Sequence, residues 1–129
     1  MLARYHIARG QRAPDDPLPA GRRQDTRKHT RHVLRPTAAI VERFLKAPDA
    51  RGFKEFRAAY IALLRQRFDT ERKAFDTLAE LARNEHVYLG CNCPTARQPD
   101  IGHCHTSLAL EFMKERYPDL DVRLERTRS

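Results

Sequence analysis

Apolar side chains recur every three or four residues through the middle of the chain and alternate with polar ones near its ends. Residues 2–8 alternate through Tyr5 and Ile7, which predicts a short strand. Further on, Thr37 is a good N-cap, and it begins a helical pattern that Pro48 ends. The apolar positions of this predicted helix are Ile40, Val41, Phe44 and Leu45.

The same spacing predicts a longer amphipathic helix from about Phe53 to Phe68. Asp69 and Thr70 then offer a cap for a further helix, unless the first helix continues through them. We expect the aromatic residues along these helices to form the core, with a homodimer face as the alternative. They are Phe53, Phe56, Tyr60, Phe68 and Phe75.

The last third of the chain predicts a strand, a helix and a strand. The stretch from His86 to Cys91 is rich in β-formers, which favours a buried strand. A loop over 94–103, a helix over 105–117 and a half-exposed strand over 120–124 follow. Because such a βαβ unit has a right-handed crossover, we predict a small three-layer α/β fold with a mainly parallel sheet and helices on its faces.

Residues 10–36 differ from the rest of the chain, since they are rich in proline and poor in large apolar side chains. Between Arg22 and Arg35 the charge is strongly positive. Such a segment buries too little apolar surface to offset its ordering entropy. We therefore expect a mobile basic loop within a single domain of 129 residues, and nucleic acid is a candidate partner for it.

Composition narrows the classes of protein further. The net charge is +8, and Arg outnumbers Lys by 20 to 5, which favours phosphate- or carboxylate-bearing partners. No apolar stretch has the length of a membrane span or the form of a signal peptide, so a cytoplasmic protein with no membrane partner is expected. The three cysteines, an odd number, argue against a disulfide framework and for thiol, metal or core roles.

The side chains with the richest chemistry gather between Cys91 and His105. In open α/β sheets, ligands bind at the carboxyl ends of strands beside helix N-termini, which is where the predicted elements place this stretch. One interpretation is an anion pocket at the start of the last helix, whose N-terminus also makes Cys104 a candidate nucleophile beside His105. The anion would be held by Arg97, Thr106 and Ser107.

Two other interpretations stay open. The first is a zinc or iron–sulfur site, for which the candidate ligands are Cys91, Cys93, His103 and Cys104, with His105 also in reach along the chain. The spacing Cys-x-Cys weakens this interpretation, because it is less usual in metal sites than Cys-x-x-Cys. The second is purely structural, since free cysteines such as Cys91 often pack as small core residues.

Four features of the chain together resemble the bacterial and archaeal family called domain of unknown function 488, and its shorter relative 4326. They are an aromatic-rich helix, an Ala/Leu-rich helix, an apolar strand and a Cys-His pair that opens a helix: Phe53–Leu64, Phe75–Leu81, Val87–Cys91 and Cys104-His105. The pattern Cys-x-Cys-Pro followed by Cys-His is the most specific part. This chain departs from the first family by Thr106, where an arginine is common, and by an insertion over 95–102.

The resemblance implies a three-layer α/β fold and a ligand pocket at this turn, but no agreed reaction. The leading hypothesis is a small protein that binds an anionic small molecule, such as a nucleotide, at the Cys/His-lined helix start. The alternatives are nucleic-acid binding through the basic segment and a metal site at the cysteines. Whether the chain is an enzyme stays open at this point.

Overall fold

The computed structural model describes residues 1–8, 10–93, 95 and 100–124. Within them the chain forms three strands, four α-helices and one short 3-10 turn. In chain order these are β1 (Leu2–His6), β2 (Arg22–Asp25), α1 (Ala38–Lys46), α2 (Ala50–Thr70), α3 (Arg72–Asn84), β3 (Val87–Cys91), the turn Ile101–His103 and α4 (His105–Arg116). No described helix is long and apolar enough to cross a membrane.

The sheet has the strand order β1-β3-β2, and both pairings are parallel. The registers bring Leu2 and Arg22 to opposite sides of Val87, the first residue of the central strand. The predicted α/β class with a parallel sheet is therefore confirmed. The two paired strands flank β3 although they precede it by more than sixty residues along the chain.

The strand expected over 120–124 is reduced to a single parallel bridge between Val122 and Leu2. Two backbone hydrogen bonds hold it: the Leu2 N–H donates to Asp121 O and the Arg123 N–H donates to Leu2 O, each at 2.8 Å. The last apolar residue of the predicted strand, Leu124, does not pack into the core, since it is 50% exposed. The βαβ unit thus closes on one residue of β1.

The helices lie together on one face of the sheet. Two connections carry these helices: one runs from β2 to β3 and the other from β3 to Val122. Both move across the sheet in the same direction. Because such connections are right-handed, their helices lie on the same side of the sheet. The buried apolar side chains of all four helices belong to one cluster with Leu2 and Leu89. On the opposite face of the sheet, the side chains of Tyr5 and Ile7 lie over Gly90 of the central strand.

Gly90 shows how closely these two side chains approach the backbone of the sheet. A Cβ atom on Gly90 would lie 2.7 Å from the Tyr5 ring and 2.8 Å from Ile7 Cδ1. Only a residue without a side chain leaves room for both on the central strand.

The helix starts follow the capping residues of the sequence. The side chain of Thr37 accepts a hydrogen bond from Ile40 N, as its position predicts. Asp49 caps α2 by accepting from Gly52 N at 2.7 Å. The second and third helices are separate, because the chain breaks at Glu71 rather than at the predicted cap pair Asp69 and Thr70.

The expectation of a loop throughout 10–36 is wrong for Arg22–Asp25, which forms edge strand β2. The next residues are anchored by side chains of α2: Tyr60 Oη donates to Leu34 O at 2.6 Å, and Arg67 Nη1 donates to Val33 O at 2.8 Å. Hydrogen bonds from α2, which is distant in sequence, thus help to offset the entropy lost when this segment becomes ordered. The apolar side chains of the segment are too few to do so alone. The aromatic residues of α2 and α3 do form core, as predicted.

His32 in this anchored segment makes the stability depend on pH. Its Nε2 donates to Gln24 Oε1 at 2.7 Å and its Nδ1 accepts from Leu34 N at 3.1 Å, which requires a neutral ring. Burial, aided by the charge of His105, lowers the pKa of His32 to about 4. The unfolded ring takes up its proton near pH 6.5, so the unfolded state binds more protons between these values.

We therefore predict that the free energy of unfolding falls by roughly 3 kcal/mol from this one group as the pH is lowered from about 7 to about 4. Urea unfolding at several pH values measures the loss. His32→Gln removes the titrating ring, so its curve should be flatter over the same range. An equally steep curve in the variant would assign the pH dependence to other groups.

Candidate functional site

Three cysteine sulfurs meet at the carboxyl edge of the sheet. The side chains of Cys91, Cys93 and Cys104 place their Sγ atoms within 4.8 Å of one another. The Sγ atoms of Cys91 and Cys104 lie 2.8 Å apart, and all three residues are free thiols. Cys91 and Cys104 are each 2% exposed, whereas Cys93 is half-buried. We call these three residues the thiol cluster.

The strand and helix that carry the thiol cluster are those that the sequence predicts. Cys91 is the last residue of β3, and Cys104 is the N-cap of α4. Cys93 stands two positions after Cys91, and residues i and i+2 of an extended chain point to the same face. The Cys-x-Cys spacing therefore brings the two sulfurs to the same side, where they lie within 4.8 Å of each other and of Cys104 Sγ.

Arg4 is the cation of the site, and the sequence reasoning missed it. It is only 4% exposed. Its Nη2 donates to Cys91 Sγ at 3.1 Å and to Cys93 O at 2.7 Å, and its Nε donates to Thr106 Oγ1 at 3.0 Å. The alternation through Tyr5 and Ile7 pointed to the other face of the strand, whereas the buried face is the one that Arg4 shares with Leu2. A charged residue at an inward position is rarely buried without a partner.

The hydrogen bonds within the thiol cluster decide where negative charge resides. Hydrogen bonding from Cys104 and Cys93 lowers the pKa of Cys91, and the charge of Arg4 acts in the same direction. Hydrogen bonds with the other two sulfurs raise the pKa of Cys93. Burial raises the pKa of Cys104 to about 12. Negative charge is therefore favoured on Cys91, and the role of Cys104 as a nucleophile beside His105 stays a prediction.

The hydrogen bonds around His105 assign its ring to one tautomer. Thr26 Oγ1 has a single proton, which it donates to Gly90 O at 3.0 Å. The contact of 2.8 Å between Thr26 Oγ1 and His105 Nε2 must then be donated by the ring. This leaves the lone pair on Nδ1, which lies 3.9 Å from Cys104 Sγ. Thr26, another residue that the sequence reasoning missed, thus orients His105 toward the thiol cluster.

The predicted anion ligands have other partners inside the fold. Thr106 Oγ1 accepts from Arg4 and donates to Cys104 Sγ at 3.3 Å. Ser107 Oγ donates to Ile101 O at 2.6 Å. Both residues are buried, and Arg97 lies outside the described residues. Binding of an anion by these three side chains stays a prediction.

His103 is not part of the thiol cluster, although the sequence made it a candidate ligand. Its ring stacks on Phe53 with centroids 3.9 Å apart and planes 16° apart. Its Nε2 lies 3.5 Å from Asp100 Oδ2. Stacking against the α1–α2 corner turns the ring away from the sulfurs, which a position in the sequence does not reveal.

Much of the positive charge in the basic segment is balanced within the fold. Arg22 pairs with Glu85 at 3.1 Å, and Lys28 pairs with Glu42 at 2.9 Å. Asp25 accepts from Arg27, and the two are joined at 2.7 Å. Nucleic-acid binding through this segment and homodimer formation both stay predictions.

The fold and the site define a small α/β protein with a buried three-cysteine cluster beside the N-terminus of its last helix. A family model described as the active DUF488-N3 subclade matches residues 7–117. The chain belongs to the DUF488 family, which confirms the resemblance found in the sequence. No curated protein and no solved structure gives a significant match to the chain.

Proposed function

We propose that this chain binds a zinc ion through the three thiolates of Cys91, Cys93 and Cys104. The observation that carries the proposal is the gathering of three sulfurs within 4.8 Å from two separate parts of the chain. Thiolates prefer soft or borderline cations, and zinc is the common redox-inert member of that group.

The distances suit zinc after a small adjustment. With zinc–sulfur bonds of about 2.3 Å, tetrahedral geometry sets the sulfurs about 3.8 Å apart. The pair Cys91 and Cys104 stands at 2.8 Å and must open by about 1 Å, which small side-chain rotations supply. Cys93 stands just beyond the end of β3, where the backbone is free of strand pairing.

The charges also balance. Three thiolates and one Zn²⁺ leave a single negative charge, which the buried guanidinium of Arg4 neutralises. Arg4 Nη2 donates to the Cys91 sulfur and the Thr106 hydroxyl donates to the Cys104 sulfur, as partners outside the ligand sphere do in zinc sites. An iron–sulfur cluster takes four cysteines, and this chain has three.

A bare ion fits the site better than the anionic small molecule that the sequence suggests. Cys91 and Cys104 are buried, and the hydroxyls of Thr106 and Ser107 are engaged inside the protein. Three protein ligands leave the fourth position of zinc for water or for a substrate atom, as in catalytic zinc sites. An anionic ligand would then reach the site through that position, in keeping with a family described as active.

Metal analysis of protein purified without chelators tests the proposal. We expect about one equivalent of zinc per chain, and protection of all three thiols from alkylation until a chelator removes the metal. His103→Ala is the matched control and should keep full zinc content, because that ring packs on Phe53. Substoichiometric zinc after reconstitution, with all three thiols reduced, would refute the proposal.

A further inference from the structure

We propose that the thiol cluster is also an oxidation site, at which a hydroperoxide converts metal-free Cys91 and Cys104 into a disulfide. The same sulfurs would then either hold zinc or form the bond, so that each state excludes the other. The second half of this inference rests on the proposed zinc binding, whereas disulfide formation by the metal-free chain does not.

The separation of the two sulfurs carries the inference. The Sγ atoms of Cys91 and Cys104 lie 2.8 Å apart, about 0.8 Å more than the length of a disulfide bond. Both residues belong to regular elements, since one ends β3 and the other caps α4. The backbone therefore holds the pair close without a rearrangement of the fold.

The neighbours of Cys91 favour it as the sulfur that reacts first. Arg4 Nη2 donates to Cys91 Sγ at 3.1 Å, and Cys104 Sγ touches it from α4. A guanidinium beside a sulfur stabilises the thiolate, which is the form that attacks a peroxide. Half-buried Cys93 lines the same cluster on its more open side, where a molecule as small as hydrogen peroxide enters.

The chemistry balances in two steps. The Cys91 thiolate attacks one oxygen of the hydroperoxide, the O–O bond breaks, and the departing oxygen takes a proton, which leaves a sulfenic acid on Cys91. The Cys104 sulfur then attacks the sulfenic sulfur, so that an S–S bond forms and the S–O bond breaks. The hydroxide leaves as water with the proton of the Cys104 thiol. The two thiols lose two electrons, and hydrogen peroxide is reduced to two waters.

The disulfide removes two of the three zinc ligands in one event. It also ties the end of β3 to the start of α4. Zinc in turn holds the sulfurs about 3.8 Å apart and occupies their lone pairs, so it should protect them from peroxide. Metal content and oxidation are thereby linked at a single site.

The experiment uses the full chain, reduced and stripped of metal, with one equivalent of hydrogen peroxide followed by an alkylating reagent. We expect one alkylated thiol instead of three and a tryptic link between two peptides. Cleavage after Arg83, Arg97 and Lys114 separates Cys104 from the peptide that holds both other cysteines. Fragmentation should find the alkyl group on Cys93, and Cys93→Ser should still form the link.

Each alternative outcome of the experiment would refute one component of the proposal: the disulfide, its exclusion by zinc, or zinc binding itself. Three alkylated thiols, or a link that leaves Cys91 alkylated, would refute the Cys91–Cys104 disulfide, and the wild-type chain alone decides this if a variant fails to fold. Zinc-loaded chain should oxidise at least tenfold more slowly. Equal rates with one zinc bound would refute the exclusion but not zinc binding. A disulfide in a chain that binds no zinc would refute the proposed function alone.

Discussion

Replacing Cys91 by serine should weaken zinc binding by about 100-fold or more. Structural zinc sites in small peptides bind with about 10–16 kcal/mol, so one of three or four ligands accounts for roughly 3 kcal/mol. Serine keeps the size of the side chain but presents a hydroxyl that stays protonated near neutral pH. It also removes the sulfur to which Arg4 donates at 3.1 Å, which leaves that buried cation with one acceptor fewer.

Competition with a chromophoric zinc chelator measures the affinity of both chains. Ser107→Ala is a suitable control, because it removes a buried hydroxyl three residues from a proposed ligand and should change zinc affinity little. A urea midpoint for each variant separates lost binding from lost folding. If Cys91→Ser binds zinc as tightly as the unaltered chain, Cys91 is a core residue and the structural interpretation is right.

The second large effect is a loss of stability in the hydrophobic core on which β3 and α4, the elements that carry the thiol cluster, are packed. Phe75→Ala should lower the free energy of unfolding by about 3–5 kcal/mol. The Phe75 ring is fully buried and meets Phe68 edge-on at 5.3 Å and Phe112 at 5.8 Å, so the variant loses two aromatic contacts as well as buried area. These rings join α2, α3 and α4 under the sheet.

Urea unfolding of the metal-free chain measures this loss without a contribution from bound zinc. Leu124→Ala is the control, because that side chain is 50% exposed and its removal should cost less than about 0.5 kcal/mol. A Phe75→Ala loss below about 1 kcal/mol would mean that the core repacks around the cavity. The folded variant should still bind zinc, since Phe75 is not among the residues around the sulfurs.

Local pattern determined the elements that carry the site. The helical spacing places α1, α2 and α4 close to their observed bounds, and the run of β-formers places β3. The position of Cys104 at a helix start and of Cys91 at a strand end follows from the same pattern. Helix periods and caps act over a few residues, so a sequence displays them directly.

Only the tertiary structure decided which side chains meet at that site. Arg4 reaches Cys91 across 87 positions of sequence, and Thr26 reaches His105 across 79. Strand β2 forms because β3 supplies its hydrogen-bond partners, although its own residues are polar and carry no strand pattern. Contacts over such separations depend on how the sheet is ordered and which face the helices cover, and no periodicity in the chain records either.

The composition of the thiol cluster illustrates the same division. Sequence reasoning named Cys91, Cys93 and Cys104 as candidates together with His103, and it found no way to choose among them. In the folded chain the three sulfurs lie together, whereas the His103 ring stacks on Phe53. Residue type determined which atoms are able to bind a soft metal, whereas packing of the α1–α2 corner against the last loop decided which of them lie close enough to do so.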